Sequence, residues 1–107
     1  MLMQNMLMQE ACVQVAKPEW WNDEGLKTLS ASVVRASPDD MQAHQMRAIV
    51  LSGLNRAWEA GPRSAAELRE AAAHYEQAAA LCPAPMIKAN FASDAAVCRR
   101  QAQWLVA

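Results

Sequence analysis

Between Ser64 and Pro83 the chain reads SAAELREAAAHYEQAAALCP, with apolar residues at Ala65, Leu68, Ala72, Tyr75, Ala79 and Cys82. Steps of three and four put these positions on one stripe of a helix with 3.6 residues per turn, whereas a strand would need alternation. Ala71, Ala78 and Leu81 widen the stripe to a core-facing band. Ser64 and Glu67 form the S-x-x-E pattern, in which each side chain satisfies a backbone N–H at a helix start. Gly61-Pro62 breaks the chain before this helix, and Pro83 and Pro85 stop it afterwards. A face this rich in alanine lets a neighbouring axis approach to roughly 8 Å, so packing from more than one side is expected.

The same periodicity recurs along the chain. Leu2, Met3, Met6, Leu7, Val13 and Ala16 suit a short amphipathic helix over residues 1–16, expected to be a packing helix or a frayed terminus. Lys17-Pro18-Glu19-Trp20-Trp21 is a break, and its tryptophans are expected to fill the core at a helix junction. Asn22 or Asp23 caps the next helix, which runs to about Ala36 with Leu26, Leu29, Val33 and Ala36 on one face. Ser37-Pro38-Asp39-Asp40 is a start signal in which Ser37 caps and Pro38 takes the first helical position. That helix carries Ala43, Met46, Val50, Leu54 and Ala57 and is expected to reach about Ala60, with Gly53 as its weak point. Gly61-Pro62-Arg63 then reverses the chain into the Ser64 helix, which predicts an antiparallel hairpin. Met46, Val50 and Leu54 are expected to pack on Leu68, Ala72 and Tyr75. A last helix, from about Met86 to Val106, carries Ile87, Phe91, Ala95, Cys98, Ala102 and Leu105. The sum is an all-α chain of about five helices, divided into residues 1–21, a Met-rich helix and linker, and residues 22–107, a helical domain.

Composition narrows the function classes. The chain has 107 residues, a formal charge of −1 and interspersed acids and bases. There is no basic stripe for nucleic acid and no apolar run long enough to span a membrane. The cysteines Cys12, Cys82 and Cys98 are far apart and lack zinc spacing, so they read as reduced thiols of a cytoplasmic protein.

Val34 to Pro38 and Ala79 to Pro83 play the same part, each closing one helix and opening the next, 45 residues apart. Counting back from Pro83 gives Ala78, Tyr75 and Ala71. Counting on from Pro38 gives Ala48 and Leu51, and Ser93 is the matching small residue after Pro83. In this small-aromatic-small-proline pattern the chain resembles the tetratricopeptide repeat family over about residues 22 to 105. The spacing departs from the family's roughly 34 residues. The extra stretch around LNRAWEAGPRS fits as added helical turns shared across the hairpin. Leu26, Ser30 and Val33 replace the small-aromatic-small set in the earlier unit, and His44 and Ala89 stand where the family has a large aromatic. The resemblance implies a right-handed stack of helical hairpins with a concave face that binds a peptide or partner helix. His44, Arg47, Leu51 and Lys88 are then the candidate partner-binding residues. The family's carboxylate clamp cannot be placed here.

No residue set points to catalysis, a cofactor or a metal. His44 and His74 lie on different helices and lack the spacing of a zinc site. His74 is expected to face solvent or pack between helices, and Glu67, Glu70, Glu76, Arg63 and Arg69 read as a solvated charged face. The three glycines are isolated, so there is no phosphate loop. The expected function is a non-catalytic protein–protein interaction module whose partner the sequence does not name. A second reading is a structural or self-associating bundle, with Trp58 or Trp104 at a homodimer contact. A third is a helical fragment of a larger enzyme. The apolar end Trp104-Leu105-Val106-Ala107 marks a truncated array or an end that docks.

Overall fold

The computed structural model describes residues 18–53 and 57–106. Four helices follow one another: α1 (Asp23–Ala36), α2 (Met41–Ser52), α3 (Ala65–Leu81) and α4 (Pro85–Val106). Among the described residues there is no strand, and the chain is all-α. The predicted helix over residues 1–16 lies outside the described residues.

Each helix packs chiefly on the one before it and the one after it. The contacts run in opposite directions along α2 and α3, since His44 meets His74 while Arg47 meets Glu70. Consecutive helices are therefore antiparallel, and α2 and α4, both laid against α3, point the same way. The core is a cluster of small and large side chains from these three helices: Ala48 and Leu51, then Ala71, Ala72, Tyr75, Ala78 and Ala79, then Phe91, Ala95 and Cys98. Tyr75 and Phe91 are the aromatic pair within it, with ring centroids 6.4 Å apart. The Ser64 stripe thus packs largely as its periodicity predicts, covered from two sides by α2 and α4, but Leu81, predicted to face the core at its end, is exposed.

The helix ends show where local chemistry acts. Asn22 caps α1 by accepting from the Gly25 N–H at 2.8 Å. Ser64 and Glu67 complete the predicted capping box of α3. Two expectations are corrected. Asp40, not Ser37, caps α2 by accepting from the Gln42 N–H, and Pro38 sits in the preceding turn. The α2 helix also stops at Ser52, well short of Ala60, because Gly53 takes a left-handed conformation at φ +68°. Glycine adopts that region without steric cost. Residues 57–64 are accordingly a link and not added helical turns. This shift also changes which residues pack: Ala48 and Leu51 join the core against α3, while Met46 is only half-buried and Leu54 lies outside the described residues.

Trp20 and Trp21 do not fill the core. Trp20 is exposed and Trp21 half-buried, their rings edge to face at 5.9 Å. The turn that carries them is tight. A Cβ on Gly25 would overlap the Trp20 carbonyl. Gly25→Ala is therefore expected to cost about 1–3 kcal/mol, as for other overpacked sites. Thermal unfolding checks it, and an unchanged midpoint would mean that the turn yields freely.

Candidate functional site

The α4 helix has one covered side and one open side. Phe91, Ala95, Cys98 and Ala102 recur at steps of four, three and four and are all buried. The predicted stripe ends short at both limits, since Ile87 and Leu105 are exposed. The opposite side carries Met86, Val97 and Trp104, with Met86 82 % and Trp104 80 % exposed. Five of the seven large exposed hydrophobic residues among those described belong to this one helix, the other two being Trp20 and Leu81. Scattered single exposures are ordinary, but a concentration on one helix marks a contact surface.

This face runs into a hollow at the end of the stack where α2 and α4 both terminate. The cavity has a volume of about 320 Å³ and is lined by Ser52, Arg63, Leu68, Gln101, Trp104 and Leu105. Leu68 is its buried floor, and Trp104 and Leu105 form its rim. The charge of Arg63 is turned away into an ion pair with Asp23. The hollow therefore offers an apolar seat of the kind a large apolar side chain fills.

A second cluster sits between α1, α2 and α3, and it absorbs two of the four sequence-predicted site residues. His44 Nε2 lies 2.6 Å from the Pro38 carbonyl, and its Nδ1 lies 2.9 Å from His74 Nδ1. The carbonyl can only accept, so Nε2 carries the His44 proton. In its uncharged form His44 accepts at Nδ1 from the His74 N–H. His74 Nε2 faces Glu70 at 3.4 Å. Glu70 in turn accepts from Arg47 at 3.1 Å, and Arg47 donates to the Lys27 carbonyl at 2.7 Å and to Ser30 Oγ at 3.1 Å. Among the described residues no group of three or more His, Cys, Asp or Glu side chains is arranged to hold a metal ion.

Burial pushes the His74 pKa below its ordinary value. Glu70 pulls it up, and the charges of His44 and Arg47 push it further down. As pH falls, the unfolded chain takes up this proton first. Stability present above about pH 6.5 is thus lost progressively below it. The urea midpoint is expected to be lower at about pH 5.5 than at about pH 7.5, and the difference smaller in His74→Asn, which keeps a donor but cannot titrate. Equal pH dependence in the variant would remove His74 as the source.

The sequence-predicted site residues are thus not brought together. His44 is 6 % and Leu51 2 % exposed. Arg47 is spent on Glu70, Ser30 and a backbone carbonyl. Lys88 alone of the four is exposed, near the start of α4. The charged residues read as a solvated face also divide. Arg63 is locked to Asp23 and Glu67 to Lys27, whereas the Glu76–Arg99 pair is exposed. Cys82 and Cys98 are free thiols buried in the core. The sequence marked the apolar end at Trp104-Leu105 as one that docks, but the reading missed that Met86 and Val97, at helical spacing from Trp104, extend it along the free side of α4.

Compared with known proteins, the chain matches no family model, no curated protein and no solved structure. Among the described residues no helix is long and apolar enough to cross a membrane.

Proposed function

We propose that this chain is a tetratricopeptide-like stack of helical hairpins that binds a partner helix or peptide and performs no catalysis of its own. The observation that carries the reading is the row of exposed apolar residues on the uncovered side of α4, Met86, Val97 and Trp104, interrupted by Ser93 and Arg100 and leading into the hollow beside Leu68. Supporting it, the residues behind the family resemblance serve packing: Ala71 and Ala78 are fully buried, with Tyr75 between them. Burying a side chain of the size of Trp104 or Met86 on a partner contributes about 1.5–3 kcal/mol. Two or three such anchors set a contact apart from a chance encounter.

The partner expected is an amphipathic helix with a large apolar residue at the seat and few charges facing Val97. The test compares the wild type with a Val97→Glu, Trp104→Glu double variant. Both positions are exposed, so unfolding free energy should change by no more than about 0.5 kcal/mol at each. Proteins captured by the wild type and lost by the variant should protect α4 amides from hydrogen exchange when bound. Capture that is indifferent to both substitutions would sink the reading. Light scattering on the pair separates the alternative occupant, since a dimer abolished by the substitutions assigns this face to a second copy.

A further inference from the structure

The two histidines of the chain meet where the corner between α1 and α2 lies against α3. The His44 and His74 rings are stacked with centroids 5.1 Å apart, and their Nδ1 atoms are 2.9 Å apart. His44 is buried, and through Nε2 it also holds the Pro38 carbonyl of the corner at 2.6 Å. We propose that this pair is an acid-operated latch: filling it with protons parts the two rings and frees the α1–α2 corner from α3, while the rest of the stack stays closed. The proposal is independent of the function assigned to α4.

Counting protons gives the reason. The closed pair offers three places for a proton: His44 Nε2 on the Pro38 carbonyl, the gap between the two Nδ1 atoms, and His74 Nε2 facing Glu70 at 3.4 Å. Two imidazolium rings carry four N–H groups and no acceptor. The fourth proton would set two donors against each other across the Nδ1 gap, so the fully charged pair cannot keep this contact. The surrounding charges do not change that count. Glu70 of α3 faces the pair but is shared with Arg47 of α2, whose cation opposes further charging of His74. On α1 the Lys27 ammonium is turned to Asp23, Glu24 and Glu67. In the corner Asp39 and Asp40 are exposed, and Asp40 is engaged as the cap of α2. On α4, Arg99 is directed at Glu76.

The other end of α1 is fastened by groups that resist acid. Asp23 accepts from Arg63 at 2.8 Å, and that hydrogen bond holds its carboxyl well below the usual carboxylate range. Glu67 is likewise lowered, chiefly by the Lys27 ammonium at 2.6 Å. Opposite charges of this kind stay paired in mild acid, whereas imidazoles charge near pH 6.5 once freed. One end of α1 is therefore pinned to α3, and the corner at its other end is the part that lets go.

An NMR titration of the full chain from about pH 7.5 to about pH 4.5 tests the proposal. Ring nitrogen shifts count the protons on His44 and His74. Cross-peaks between the two rings report the latch, and the Asp40 and His44 amides, which donate to the Ser37 and Asp40 carbonyls, report the corner. Cross-peaks between Tyr75 and Phe91 report the α3–α4 core. The expected result is that the His44–His74 cross-peaks are lost, and the Asp40 and His44 amides shift, at the pH where the fourth ring proton is taken up. The Tyr75–Phe91 cross-peaks should persist there. In His74→Asn, which keeps a donor toward His44 but cannot titrate, the acid shift of the Asp40 and His44 amides should disappear. Ring cross-peaks that survive with all four nitrogens protonated overturn the proposal. So does loss of the Tyr75–Phe91 cross-peaks at the same pH, since the stack would then unfold as a whole. An acid shift of the corner amides that persists in the variant also overturns it, by assigning the shift to Asp39 and Asp40. The wild-type titration decides by itself if the variant does not fold.

Discussion

Tyr75→Ala is expected to lower the unfolding free energy by about 3–5 kcal/mol, the usual cost of deleting a buried aromatic side chain. The reason lies in what surrounds it. Tyr75 is buried in a cluster that holds Ala48, Ala71, Ala72, Ala78, Ala79 and Ala95, with Leu51 and Phe91 among its large members. Alanines have no further carbon to swing into a vacated space, so the cavity stays open and the cost is not relaxed away. For a domain near 100 residues this is a fall in midpoint on the order of 15 °C. Calorimetry reads it directly, and a shift of a degree or two would show that the ring does not hold α3 to α4.

The hydroxyl of Tyr75 gives a finer test of the same site. Burial pushes its pKa up to about 12, with Asp94 and Cys98 adding to the rise and a hydrogen bond to Ser52 opposing it. The folded state therefore keeps the proton when the unfolded chain has released it. Stability from this group is complete below about pH 10 and is lost as pH rises, by about 1.4 kcal/mol at about pH 11. Tyr75→Phe keeps the ring, gives up about 1 kcal/mol of hydrogen bonding and should flatten that alkaline loss. If the slope persists in the phenylalanine variant, other groups carry it.

The fold was legible where one local signal decided the outcome. The S-x-x-E box, the two prolines after Leu81 and the spacing of Phe91, Ala95, Cys98 and Ala102 each gave α3 or α4 nearly to the residue. Legibility failed where two local signals competed. At Gly53 helical periodicity ran on through Leu54 and Ala57, and glycine in mid-helix costs only about 1 kcal/mol against alanine. The chain instead uses Gly53 as a left-handed stop. The pairing of α2 on α3 differs from the predicted one by about one helical turn. Arg47 meets Glu70, and Leu51 lies in the core. His44, Arg47 and Leu51 were placed on a binding face through the family resemblance, and in the structure they sit at the α2–α3 contact. The free side of α4 was present in the sequence at Met86, Val97 and Trp104, yet periodicity alone does not tell a covered face from an open one.

Arg63→Ala is the second large loss expected, at about 3–5 kcal/mol, the range for removing one member of a buried ion pair. The Arg63 side chain is 6 % exposed and donates to Asp23 through both terminal nitrogens. It also donates to the Val50 and Leu51 carbonyls, at 3.0 Å each. Those carbonyls belong to the last turn of α2, where intrahelical donors run out, and Val50 also accepts from the Gly53 N–H at 3.3 Å. One guanidinium thus closes the end of α2, places a cation at its negative pole and holds the start of α1 through Asp23. Asp23 is shared further, accepting from Trp58 Nε1 at 2.9 Å and from the Gly61 N–H at 3.4 Å. Its carboxyl is held well below the usual carboxylate range, first by the Arg63 hydrogen bonds, then by Trp58, the Arg63 charge and Gly61, against the penalty of burial. Alanine at 63 leaves the carboxylate partly unpaired and takes one donor from each of two helix-end carbonyls, and each such loss carries its own penalty. Arg63→Lys should rescue little, because a single ammonium cannot span Asp23 and both carbonyls. The exposed Arg99–Glu76 pair makes the control. Arg99→Ala should cost little, and that cost should vanish in salt, whereas the Arg63 loss should persist because buried pairs are weakly screened. Urea unfolding of the three variants at low and high salt distinguishes the cases. A loss at Arg63 no larger than at Arg99 would mean that α1 and the end of α2 are not joined through this residue.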